Sequence, residues 1–154
     1  MSTVSYTSEF TIDRPVDDVF PLMSPEGEKL WVPNWDYENV MNSTELSEDY
    51  VFVTKTHDHG TTDAVWIVKR YEPSRHEVEF YKVEPDDKVG TVNVKCAEEG
   101  DGATRVSVTY KYTAISKRGN EFVNGFSENA YHDFIKEWKQ LLETYFQHER
   151  PEIN

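Results

Sequence analysis

Apolar and polar residues alternate with a period of two at the start of the chain, where Tyr6, Phe10 and Ile12 interleave with Thr7, Glu9 and Thr11. That period predicts a half-buried strand over 4–13. Asp13-Arg14-Pro15 stops it, with Asp13 as the expected helix N-cap, Pro15 suited to a first helical turn, and Asp17 and Asp18 placed at the positive end of the dipole. Val16, Val19, Phe20 and Met23 supply the apolar stripe of a short helix. Ser24-Pro25-Glu26 repeats the start signal, so a second short helix carries Leu30 and Trp31 before Pro33 ends it. Five strand-like stretches follow at meander spacing, about 49–57, 62–71, 76–84, 88–97 and 103–115, separated by turns such as Asp58-His59-Gly60 and Glu99-Gly100-Asp101-Gly102.

The last of these strands has the clearest two faces: Val106, Val108, Tyr110 and Tyr112 against Ser107, Thr109, Lys111 and Thr113. The even positions point inward, and by the same parity Val68, Val78, Phe80, Val92 and Val94 share that inner face. Trp66 and Arg70 have the inward parity too, although 64–68 is apolar on both faces. From Gly119 to about His148 the period changes to helical. Val123, Ala130, Tyr131, Phe134, Trp138, Leu141, Leu142 and Tyr145 form one broad stripe, with Glu121, Glu128, His132 and Lys139 opposite. The expected architecture is α+β: a curved antiparallel sheet of about six strands, two short helices after the first, and a long C-terminal helix closing over a cavity.

Composition narrows what such a fold does. The 154 residues fit one domain, 1–154. No run approaches the roughly 20 apolar residues needed to span a bilayer, and residues 1–12 lack the pattern of a secretion signal, so membrane insertion is not expected and a cytoplasmic location is. Cys96 has no second cysteine to pair with and lies inside a strand pattern, which predicts a buried thiol. A formal charge of −13 repels phosphate backbones and anionic headgroups, which removes nucleic acid as a partner. Aromatic residues make up 14 % of the chain, enough to demand either a thick core or a ring-lined pocket.

The order strand, two short helices, five strands and long helix resembles the helix-grip fold of the SRPBCC superfamily, which includes START lipid-transfer domains, the major birch-pollen allergen group and polyketide cyclase-like proteins. The residues that carry the resemblance are Phe10 to Phe20, Ser24-Pro25-Glu26-Gly27-Glu28 leading to Trp31 and Trp35, and Trp66-Ile67-Val68 with Tyr71-Glu72-Pro73. The resemblance implies a hydrophobic or amphipathic small molecule held between the inner sheet face and the long helix. It implies no particular ligand, because one fold serves many activities. The spacing of Cys and His offers no iron–sulfur site, and no cofactor is expected.

The candidate ligand-binding residues are Trp31, Trp35, Trp66, Phe80, Tyr110, Tyr112, Ser127, Tyr131, Phe134 and Trp138. Each ring serves equally as core packing. A guest requires that rings from the sheet and the helix leave a gap between them. For cyclase or dehydratase chemistry the acid–base and polarising candidates are Tyr110, Arg70 and Asp36, with Glu38 beside the last. His57-Asp58-His59 with Asp63 has metal-like spacing, but a solvated hairpin tip explains it as well, and no metal is expected. His132 and Glu128 sit one turn apart on the solvent side of the helix. Three functions compete on these residues: a binding protein for a lipid- or polyketide-like molecule, a polyketide cyclase-type enzyme, and an adaptor or chaperone co-factor. Oligomeric state is not legible in the chain.

Overall fold

The computed structural model describes residues 1–55 and 63–149. Its strands are β1 (Thr3–Ile12), β2 (Tyr37–Asn39), β3 (Val51–Thr54), β4 (Ala64–Glu72), β5 (Glu77–Glu84), β6 (Lys88–Glu98) and β7 (Thr104–Ala114). They form one antiparallel sheet in the order β1-β7-β6-β5-β4-β3-β2. Its helices are α1 (Val16–Val19), α2 (Pro25–Glu28), α3 (Lys117–Gly125) and α4 (Glu128–Glu149), with a 3-10 turn, Phe20–Met23, between the first two. No helix among the described residues is long and apolar enough to cross a membrane.

The inner sheet face follows the alternation closely: Val68, Val78, Phe80, Val92, Val94, Val106, Val108, Tyr110 and Tyr112 are all buried. Cys96 is buried on it as well, and burial pushes its thiol up to about 12, which keeps it protonated. The parity breaks in one place. Val68 stands opposite Phe80 while Arg70 stands opposite Glu79, so Lys69 is an extra residue in β4 and the faces exchange beyond it. Arg70 therefore lies on the outer face, where its guanidinium meets Glu79 at 2.9 Å and Glu77 and Glu72 at 3.7 Å. The inward placement expected of Arg70 is corrected by that bulge, and Tyr71 takes the inner side, stacked 6.2 Å from Phe20.

Three further features differ from the sequence pattern. The first helix begins at Val16 with extended Pro15 (ψ 151°) flanking it, so Asp13 is not its cap. The strand β2 is too short to show a period of its own. Finally, the long terminal helix is two helices. Phe126 adopts an extended backbone (φ −83°, ψ 96°), and Ser127 restarts the helix by accepting the Ala130 N–H at 3.1 Å. The break folds the Phe126 ring in against Phe122, Tyr112 and Tyr6, and the Tyr6 hydroxyl donates to the Phe126 carbonyl at 2.9 Å. Within α4 the buried set is Tyr131, Ile135, Leu142 and Phe146, while Phe134 keeps 41 % of its surface exposed.

Two glycines fix how the helices dock. A Cβ on Gly119 would lie 1.7 Å from the Asp87 carbonyl oxygen, and one on Gly27 would lie 2.4 Å from that of Pro21. The N-terminus of α3 is thus pressed onto the β5–β6 turn, where Ser116 donates to the Asp86 carbonyl and Arg118 meets Asp87 at 2.6 Å.

Candidate functional site

Rings from β7 and α4 meet where the sequence left a gap. Tyr110 lies 5.6 Å from Phe134, 5.8 Å from Tyr131 and 6.4 Å from Trp138, and Trp138 lies 5.6 Å from Trp31. Their polar tips are partly spoken for: Tyr131 donates to the Val108 carbonyl, and Trp31 donates to the Leu22 carbonyl at 2.8 Å. Tyr112 packs between Tyr110 and Phe122. This half of the interior is an edge-to-face aromatic cluster, filled because such rings attract in that geometry.

The open space lies to one side of it. A pocket of about 730 Å3 runs between the loop Val32–Asp36 and the ends of β3, β4 and β5. Trp66 is one wall, stacked 5.5 Å from Phe52, with Phe80 against its edge at 5.8 Å; its indole N–H donates to the Thr54 hydroxyl at 2.8 Å. Trp35 is the other, pinned by its own N–H on the Pro25 carbonyl at 2.9 Å. Both N–H groups are satisfied within the protein, so the rings hold their orientation without a guest. Asn34, with φ 61°, turns the loop so that Trp35 and exposed Asp36 border the same space. On its other side the loop borders a shallower groove of about 460 Å3 against Leu141 and Tyr145.

Two charged residues that the sequence reading passed over stand out. Lys82 continues the inward row of Val78 and Phe80, and its Nζ lies 5.3 Å from the Trp66 ring centroid. The next inward residue, Glu84, is paired with Lys88 at 3.1 Å in the interior, with the Lys88 ammonium over the Phe122 ring at 3.9 Å. That pair is electrostatic more than directional, because Glu84 Oε2 has no well-aligned donor. Parity alone would have placed Lys82 inside. The second residue is Glu28, one helical turn before Trp31. The residue is half-buried, and the protein around it raises its carboxyl to about 8. Its sequence context reads only as a helix start. Burial also raises Tyr110, with smaller contributions from Tyr112, Glu28 and Tyr131, which places Glu28 within electrostatic reach of that phenol.

The three residues named for cyclase chemistry are not brought together: Asp36 is at the pocket rim, Tyr110 in the aromatic cluster and Arg70 on the outer face. Ser127 is the α4 cap, exposed rather than inward. His132 reaches Ser8 at 2.9 Å and Glu128 at 3.7 Å on the outside of the molecule. His57, Asp58 and His59 lie outside the described residues, among which no cluster of metal-ligating side chains occurs.

Comparison with known proteins turns on shape. No protein-family model and no curated protein matches the sequence. Solved structures do match: Ara h 8.0201 aligns over 96 % of this chain and 97 % of its own at 12 % identity and a TM-score of 0.66. The chain shares the helix-grip fold of these structures. Norcoclaurine synthase from Thalictrum flavum, in complex with dopamine and hydroxybenzaldehyde, aligns over 92 % of this chain and 87 % of its own at 10 % identity and a TM-score of 0.65. CalU16 from Micromonospora echinospora aligns over 95 % and 74 % at 20 % identity and a TM-score of 0.58. At these identities the helix-grip likeness concerns the fold, and activity has to be argued from the pocket.

Proposed function

We propose that the protein binds an apolar or aromatic small molecule in the pocket between Trp35 and Trp66. The observation that carries this reading is the pair of indole walls already anchored by their own N–H bonds. They border a space within the roughly 300–1,000 Å3 typical of small-molecule sites. A preformed apolar pocket costs little ordering when a guest enters. The helix-grip neighbour that holds dopamine and hydroxybenzaldehyde supports small aromatic guests as a size class. Mass spectrometry of the purified protein after denaturation, with thermal shifts across a lipid and polyketide library, tests it. A co-purified small molecule or a saturable shift is expected; neither in any condition contradicts it.

A second reading, an enzyme of cyclase type, is favoured by one observation only: a half-buried carboxyl, Glu28, raised to about 8 by burial and within electrostatic reach of Tyr110. In that case the acid–base group is Glu28, and Glu28→Gln abolishes turnover while the fold and ligand affinity survive.

A further inference from the structure

The pocket walls are apolar, but its charged groups are unevenly matched. Among the described residues, Lys55 and Lys82 line it together with a single carboxylate, Asp36, in a protein that carries 29 acidic against 16 basic residues overall. Nearly every other inward polar group on this part of the sheet is answered: Glu84 by Lys88, and Thr54 by the Trp66 indole. Lys82 is not. It is half-buried on the inner face, opposite Trp66 on one side and Gly90 on the other, and its ammonium lies over the indole ring at 5.3 Å. Among the described residues no carboxylate is within ion-pair distance of it. Gly90 leaves room beside it for the Tyr112 ring, which a Cβ there would meet at 2.9 Å.

An inward ammonium with no counter-charge among the described residues, beside an aromatic wall, is a half-made recognition element. A planar guest that packs between Trp35 and Trp66 and turns a carboxylate toward Lys82 completes it, because the ion pair forms where water is partly excluded. The overall charge of −13 does not oppose this at the site. Exposed carboxylates farther away than about 8 Å are screened at physiological salt, whereas low-dielectric pocket walls focus the field of the nearby lysines. We infer that the ligand is an aromatic or otherwise planar anion, a carboxylate carried on a ring system, with Lys82 as its anchor and Lys55 at the rim. This rests on the proposed binding function and adds the chemical class.

The test compares 2-naphthoate with its neutral isostere 2-naphthamide by calorimetry on the full chain. Naphthoate is expected to bind roughly tenfold more tightly, with the preference shrinking as salt rises. Lys82→Arg should keep the preference, Lys82→Met should reduce it below about twofold while leaving naphthamide binding intact, and Lys82→Glu should reverse it. Equal binding of the two compounds, or a preference that survives in Lys82→Met, overturns the anionic class and leaves the binding function standing. If neither compound binds the native protein, the aromatic-anion class is overturned, while the binding function is decided separately by co-purification and the thermal-shift library. Retained naphthamide affinity in the variants shows that they fold, so the comparison does not depend on stability.

Discussion

Replacing Glu28 by glutamine should make the protein more stable, and only at neutral to alkaline pH. Burial holds the Glu28 carboxyl at about 8 in the folded state against an ordinary value of 4.5. Below pH 4.5 the acid is protonated whether folded or not, and it costs nothing. Between there and pH 8 the unfolded chain releases a proton that the folded chain keeps, so stability falls as pH rises; above pH 8 the full penalty applies. A displacement of this size corresponds to a ceiling of about 5 kcal/mol, and the residue's partial exposure brings the expected penalty to about 2 kcal/mol. Glutamine carries no charge and avoids it. With a urea slope of about 2 kcal/mol/M, the Glu28→Gln midpoint should lie about 1 M above the native one at pH 8.5 and coincide with it at pH 4.5. The other carboxylates titrate alike in both proteins and cancel in the difference. A midpoint difference that is the same at both pH values would refute the enclosure of this carboxyl.

Other consequences of the structure are as direct. Gly119→Ala forces a methyl onto the Asp87 carbonyl and should cost about 3 kcal/mol, seen as a lower midpoint in thermal unfolding; a neutral result would mean α3 does not press on the β5–β6 turn. Lys88→Met alone leaves the enclosed Glu84 carboxyl without its partner, at a cost of about 3–5 kcal/mol, whereas adding Glu84→Leu should recover most of it. A double variant no better than the single one would contradict the pairing. Arg70→Ala should leave thermal stability unchanged within error, because the guanidinium sits outside the bulge; a large loss would restore it to the interior.

The topology could be read from the chain because most strands of the meander carry a period of two, clearest in β7, and a change of period marks the terminal helices. What escaped were places where one residue resets a pattern. Lys69 adds a single residue to β4 and moves Arg70 from one face to the other, a shift invisible until the β5 partner residues are known. The turn at Phe126 lacks a proline; its signal was Gly125 followed by Ser127, a helix end and a cap two residues apart. At the site, counting aromatic residues correctly pointed to a ring-rich interior but could not say which rings touch. Trp31, Trp138, Tyr110 and Phe134 close on one another, while Trp35 and Trp66 stay apart because their N–H groups are tied to Pro25 and Thr54. Lys82 was missed for a different reason: attention to apolar parity passes over a lysine that shares it.

The most direct measurement is a proton–nitrogen NMR titration with 2-naphthoate, following the four indole N–H signals. The expected result is a saturable movement of the Trp35 and Trp66 signals with Trp31 and Trp138 still. Movement of Trp31 and Trp138, of Trp31 and Trp35 without Trp66, or of none of the four would contradict a binding pocket at this place.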